Sequence, residues 1–293
     1  MTKRISVAIA AFGAALLAAG VAHAKGPEVE IKDAVARVVV IPEDRTDIKV
    51  EIVPGSSASL PTLEVSRTGS GKVIIDGGLK RKIRGCSGKA SAGGQPLDGL
   101  GGVKIRLRGA DDVSMAEAPL VTIRTPRNVN VEAGGAVYGW IGRADTVELD
   151  NAGCGDWTIG DVKGSLAASI AGSGDVRAGS SGSLSASIAG AGDFVAGPTG
   201  PLEVSIAGAG DIEVASVNGP VEASIAGAGD VRVRGGRPTD VDASIAGAGS
   251  VIIDAAVANV EASIVGAGDV EVRSVSGRVE KSIIGAGTVR VGG

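Results

Sequence analysis

Ser205-Ile206-Ala207-Gly208-Ala209-Gly210-Asp211-Ile212 recurs as Ser224-Ile225-Ala226-Gly227-Ala228-Gly229-Asp230-Val231 and again, with one change, as Ser244-Ile245-Ala246-Gly247-Ala248-Gly249-Ser250-Val251. From Asp150 onward the unit occurs eight times, anchored at Asp150, Ser169, Ser187, Ser205, Ser224, Ser244, Ser263 and Ser282, at spacings of 18 to 20 residues. A unit this short cannot bury an apolar face alone, so the units must stack to make a core.

Aligned on the anchor, the units show apolar columns. Three positions before it stand Val147, Leu166, Leu184, Leu202, Val221, Val241, Val260 and Val279. One position after it, every unit from Ser169 onward carries isoleucine, and the positions seven and nine after it are apolar throughout. Within a segment the columns lie two residues apart, which is strand alternation with one buried face. Gly-x-Gly joins the two strands of a unit, and a looser turn follows at Val162-Lys163-Gly164, Val217-Asn218-Gly219 and Val275-Ser276-Gly277. Recurrent glycine and the lack of a 3.6-residue stripe exclude helix. The expected fold is all-β: a single-stranded parallel β-helix of about 19 residues per coil. Its coils should stack about 4.8 Å apart and wind right-handedly, as parallel crossovers do.

The predicted organisation has three parts. Residues 1–24 read as a secretory signal peptide, with Lys3 and Arg4, an apolar run from Ile5 to Val21 and cleavage after Ala22-His23-Ala24. Residues 25–128 hold alternating strands joined by irregular loops, an irregular β cap for the solenoid. Residues 129–293 form the regular coils, although the register near Val129, Val131 and Val137 is open by one residue, and with it the direction of Tyr138.

Composition excludes much chemistry. Cleavage leaves 27 basic and 33 acidic residues and removes His23, the only histidine. Without imidazole the mature chain has no Ser-His or Cys-His nucleophile and no His-ligated zinc. Four aromatics remain, Tyr138, Trp140, Trp157 and Phe194, too few for a sugar- or base-stacking groove. Export and missing aromatics argue against nucleic acid. No cofactor is expected, and no segment after the leader is long and apolar enough to span a bilayer. The expected location is the periplasm or the cell surface.

The serial Ser-Ile-Ala-Gly-Ala-Gly-Asp-Val units, with the preceding Val121-Thr122-Ile123-Arg124-Thr125-Pro126 segment, resemble the auto-transporter adhesin head, or GIN-domain, family of bacterial envelope proteins. The resemblance spans roughly residues 28–291. It implies an exported β-helical protein with an adhesion or envelope role, and it supplies no catalytic motif. The sequence contains no C-terminal membrane-barrel segment, so a complete autotransporter is not expected.

Several residue groups are candidate sites. Asp156, Asp175, Asp193, Asp211, Asp230 and Asp269 form a row, with Ser250 and Thr288 in the remaining places. Carboxylates at coil spacing could form a calcium ladder, but all three residue types can instead accept a hydrogen bond from a turn amide. Turn capping is the expectation, and no metal. A second row, Glu203, Glu222, Asp242, Glu261 and Glu280, stacks like charges. It could bind cations or a basic partner, or simply keep a repetitive β surface soluble. Glu213 should stack beside Arg232, and Glu271 beside Arg290. Cys86 and Cys154 are the two cysteines of an exported chain, the number for one disulfide. Lys80, Arg81, Lys82, Arg84, Lys104, Arg106 and Arg108, with Lys89, gather against Asp98 alone and are candidates for docking an anion. Flat outward columns of serine and alanine also occur on ice-binding solenoids, which typically use threonine.

The function expected is a non-enzymatic structural or adhesion protein that presents a rigid surface to a cell-envelope component or glycan. The alternative is a β-helical polysaccharide lyase or hydrolase, which would need carboxylates converging with a Lys or Arg; Asn151, Cys154 and the Tyr138–Trp140 region break the repeat and could line such a pocket. Lys281 stands in the column that holds Ala223, Ala243 and Ala262. An inward lysine at a strand edge opposes further pairing, so a monomer is expected.

Overall fold

A computed structural model describes residues 27–88, 97 and 99–292. The signal peptide reading, Lys89 and Asp98 fall outside these residues. The chain is all-β, with no α-helix among the described residues, and forms a β-solenoid of about nine turns about 19 residues apart.

Stacking is parallel and in step. Strand pairs Leu166↔Leu184 and Ile170↔Ile188 set a register that persists through Leu202↔Val221, Val241↔Val260 and Val260↔Val279. The apolar columns are buried from Leu166 and Ile170 to Val260 and Ile264, and exposed in the last coil at Val279 and Ile283. Each such side chain contributes roughly 1.5–3 kcal/mol against exposure, which lets a core only one coil wide hold together without aromatics in most layers. The segment read as a looser turn is more than a turn. Val162, Thr199, Val217 and Val257 on it are buried, and backbone bridges Ala144↔Val162 and Ser181↔Thr199 tie it from coil to coil. The coil therefore has a third, short side that completes the core.

The Gly-x-Gly corner carries the closest approach between coils. Ala209 N–H donates to the Gly190 carbonyl and Ala228 N–H to the Gly208 carbonyl, each at 2.9 Å. Gly208 has φ +145°, and a Cβ there would lie 2.1 Å from the Gly190 carbonyl oxygen. No other residue fits that combination of positive φ and contact.

Upstream, the stack continues in an order different from the chain. Strand β1 (Glu28–Pro42) is a whole coil. Further along come β2 (Lys49–Val53), β3 (Glu64–Arg67), β4 (Val73–Asp76), β5 (Ile83–Ser87), β6 (Lys104–Leu107) and β7 (Val113–Ser114). Next are β8 (Leu120–Thr125), β9 (Asn128–Ile141), β10 (Thr146–Gly153) and β11 (Trp157–Ile159). One edge of β1 pairs in parallel with β9, through Val29↔Val131 and Val40↔Ile141. Its other edge pairs with β4 and β8, which together form a split coil. Antiparallel β2 and β3 cover the far edges of β8 and β4. The register left open in sequence is Val129↔Val147 and Val131↔Leu149, with Gly139↔Trp157 on the next side. Gly139 is required there because its Cβ would lie 2.2 Å from the Trp157 ring.

The insertion between β4 and β8 folds as a small antiparallel sheet, β5–β6–β7. It covers a second core of Val35, Leu79, Ile105, Leu107, Met115 and Tyr138, among others. Tyr138 thus points out of the solenoid yet is 3% exposed.

The glycine corner yields a direct test. Gly208→Ala must push two coils apart, and it is expected to destabilise the protein by about 2–3 kcal/mol. Ala209→Ser, at the exposed middle of the same turn, should change stability by less than about 0.5 kcal/mol. Thermal unfolding followed by circular dichroism compares the two.

Candidate functional site

The β5–β6–β7 sheet is fastened to the solenoid by a covalent bond. Cys86 on β5 and Cys154, in the turn after β10, form a disulfide with a Cα–Cα distance of 5.8 Å. The Cys154 amide donates to the Gly135 carbonyl at 3.1 Å, and the Tyr138 hydroxyl donates to the Cys154 carbonyl at 3.3 Å. Burial, with the negative charges of Asp156 and Asp175 nearby, pushes the Tyr138 hydroxyl above its ordinary range, so it stays a donor. Another break in the repeat, Asn151, is structural. It is buried and its amide donates to the Gly155 carbonyl at 2.7 Å. Trp157 fills the solenoid core, with its indole nitrogen lacking a hydrogen-bond partner among the described residues.

Alternation on β6 turns Ile105 and Leu107 into the second core and Lys104 and Arg106 to solvent. Lys80, Arg81, Lys82, Arg84 and Arg108 are exposed as well. The structure brings these seven to one small region of β5, β6 and the 3₁₀ turn Lys80–Lys82. None of the seven makes an ion pair among the described residues. Lys80 does add to the field that, after the Gly78 amide and Lys32, holds the Asp76 carboxyl below its ordinary range.

The Asp row is an amide ladder between coils. Asp156 Oδ1 accepts from the Asp175 amide at 3.0 Å, and Asp175 from the Asp193 amide at 3.0 Å. The pattern continues through Asp193 and Asp211, and Asp230 accepts from the Ser250 amide. Where Ser250 replaces aspartate, the next amide, of Asp269, turns to the Gly249 carbonyl. No three carboxylate, cysteine or histidine groups among the described residues are placed to hold a metal ion.

The second acidic row lies in exact coil register, Glu203↔Glu222, Glu222↔Asp242, Asp242↔Glu261 and Glu261↔Glu280. It lines a groove of about 630 Å³ along the coils, together with Pro201 and Pro220. Both expected neighbours stand in register, Glu213 beside Arg232 and Glu271 beside Arg290. The Glu213 carboxylate nevertheless binds Arg234 at 2.7 Å, while Arg232 binds Asp254 at 2.6 Å. The diagonal neighbour is farther away than the one directly alongside but within reach of long side chains.

Sequence reading missed one cluster. Lys72 on the edge of β4 meets Glu28, Glu30 and Glu132 from β1 and β9, the last two at 3.0 and 2.9 Å. Hydrogen bonds to Glu28 and Glu132 raise the Lys72 ammonium above its ordinary range. Glu30 and Glu132 are direct cross-strand neighbours, so one ammonium neutralises a like-charge stack and clasps the split coil to its neighbours. Only the pairing of β1 with both β4 and β9 brings these residues together, and no spacing in the sequence signals it.

Two outcomes follow from this geometry. Closing a loop across a separation of 68 residues, the disulfide should stabilise the fold by about 4 kcal/mol. Cys86→Ser should lower the melting temperature accordingly, and alkylation with mass spectrometry should find free thiols in the unmodified protein only after reduction. The second outcome concerns pH. Burial raises the Asp156 carboxyl above its ordinary value, outweighing the Asp175 amide. Its charged form therefore penalises the native state as pH rises through that raised value, and the penalty vanishes below the ordinary value. Asp156→Asn keeps the acceptor and removes the charge. It should be more stable than the unmodified protein at neutral pH and no different in acid, as melting curves at the two pH values would show.

No curated protein matches the sequence. Residues 198–293, which hold the most regular coils of the solenoid, match the family described as "Putative auto-transporter adhesin, head GIN domain".

Proposed function

We propose that this protein is a non-enzymatic, exported rod that presents a rigid β-solenoid surface to a cell-envelope component or glycan, in the periplasm or at the cell surface, after loss of residues 1–24. The carrying observation is the continuous parallel coil-to-coil pairing from β1 to Val291, which shifts register among the described residues only at Ile31/Ala34, Gly219/Val221 and Ile253/Ala256. An active site grafted on a solenoid interrupts the repeat with converging charged side chains. Here Asn151, Cys154 and Tyr138 break it to serve packing, a disulfide and hydrogen bonds. The Lys72 cluster is an ion-pair clasp between strands. The match to an adhesin head family over residues 198–293 supports the same reading.

In this reading the rod acts as a monomer. Lys281 aligns with Ala262 of the alanine column, so a coil from another chain laid upon it would desolvate an ammonium.

The test is cell fractionation, followed by incubation of the purified protein with envelope fractions and with acidic and neutral polysaccharides. Recovery from the periplasm or cell surface, retention on an envelope fraction, no turnover of any polysaccharide and a monomer by light scattering are expected. Turnover of any polysaccharide would overturn the non-enzymatic reading, and a cytoplasmic location would overturn export.

A further inference from the structure

The ribbon β5–β6 has one face in the second core and one in solvent, and the solvent face is basic. Opposite residues are Ile83↔Leu107 and Cys86↔Ile105 on the inner side, and Ser87↔Lys104 on the outer. The register shift between Ile83 and Gly85 leaves Arg84 exposed beside them. Gly85 stands opposite Arg106. A Cβ there would lie 3.3 Å from Arg106 Nη2, so the bare glycine lets the guanidinium lie across the neighbouring strand. At the ribbon's end the Arg108 amide donates to the Lys82 carbonyl at 2.8 Å, which sets those two residues side by side. Nearby acids among the described residues are few. Asp76 is paired with Lys32, and Asp111 and Asp112 sit in the turn leading to β7.

The geometry points to this face as a docking surface for the anionic headgroups of a lipid bilayer. The cations are spread over the outer face of a ribbon and its adjoining turn, which fits a plane of phosphates better than an enclosed small anion. No aromatic ring belongs to the ribbon: Tyr138 is buried beneath it, Trp157 and Phe194 lie in the solenoid core, and the half-buried Trp140 stands on β9. None of the exposed large apolar residues, such as Val53, Val65 and Ile284, belongs to the ribbon. Adsorption is therefore electrostatic, without insertion, and weakens as salt shortens the Debye length.

The same charges orient the rod. The acidic row begins three coils beyond Cys154 and ends seven coils beyond it. At 4.8 Å per coil those distances are about 14 and about 34 Å, both longer than the screening length of about 10 Å at 0.1 M salt. The ribbon end can approach an anionic surface while the acidic row is held away from it.

The inference deepens the proposed envelope role, and it relies on export only for where such a surface would be met. The test is co-sedimentation of the purified mature protein with vesicles of phosphatidylcholine plus phosphatidylglycerol, and of phosphatidylcholine alone, at low and high salt. Binding is expected only with phosphatidylglycerol and only at low salt. Lys82→Gln/Lys104→Gln/Arg106→Gln should weaken it by roughly 100-fold. Arg237→Gln/Arg273→Gln/Arg290→Gln, which makes the same change in charge on exposed coil positions, should bind like the unmodified protein, and melting curves verify that both variants fold. Equal binding to phosphatidylcholine alone, no binding to phosphatidylglycerol, or equal losses in both variants would overturn the proposal. So would retention on a soluble acidic polysaccharide but not on vesicles, which would give the face to a glycan. Any of these failures leaves the fractionation result, and with it the exported-rod reading, standing.

Discussion

The hydrogen bond from the middle amide of each Gly-x-Gly corner to a glycine carbonyl of the preceding coil is the contact on which the solenoid depends. It brings two backbones so close that a side chain on the first glycine would occupy the carbonyl oxygen's place. That closeness fixes the rise of the stack at one corner, and the strands on either side inherit it as in-step pairing. The residue after the corner then finds the next coil's amide within reach, which is why aspartate recurs there. Serine can replace it at position 250 because the neighbouring Gly249 carbonyl serves the next amide, and Thr288, in the last described coil, donates its own amide to Asp269.

Periodic features were legible in the sequence because they are local. A column two residues from the next, repeated at every coil, names a buried strand face whatever its partners are. Leu166, Ile170 and Val176 could be placed that way. The third side was harder, since Val162, Thr199 and Val217 are single buried residues with no alternation around them. Tyr138 was undecidable for a different reason. Its strand has two apolar faces, one in the solenoid and one under the β5–β6–β7 sheet, so alternation carries no information there. The Lys72 clasp depends on strands far apart in the chain, and nothing in the spacing of Glu28, Glu30, Lys72 and Glu132 reveals it.

The candidate site shows the same division. That basic residues cluster between positions 80 and 108 is visible in the composition of that segment. That they share the outer face of a ribbon follows from β5–β6 pairing and from Gly85, which only the fold displays. The solenoid keeps its charges balanced by diagonal pairs or stacked in a solvated row, whereas the cations of the inserted sheet make no ion pair among the described residues. An insertion is free of the periodic constraint, so it can hold a charge distribution that the repeat could not tolerate in every coil.

Strand β1 is held between coils built from later parts of the chain. Val29 meets Val131, 102 residues on, along one edge and Val73 along the other. Neither partner is near in sequence, so β1 must wait for long loops to close. The regular coils, each touching a neighbour fewer than 21 residues away, close short loops only. Assembly should therefore start in the regular coils and reach β1 late, so that insertion of β1 joins the split coil to a scaffold that has already formed.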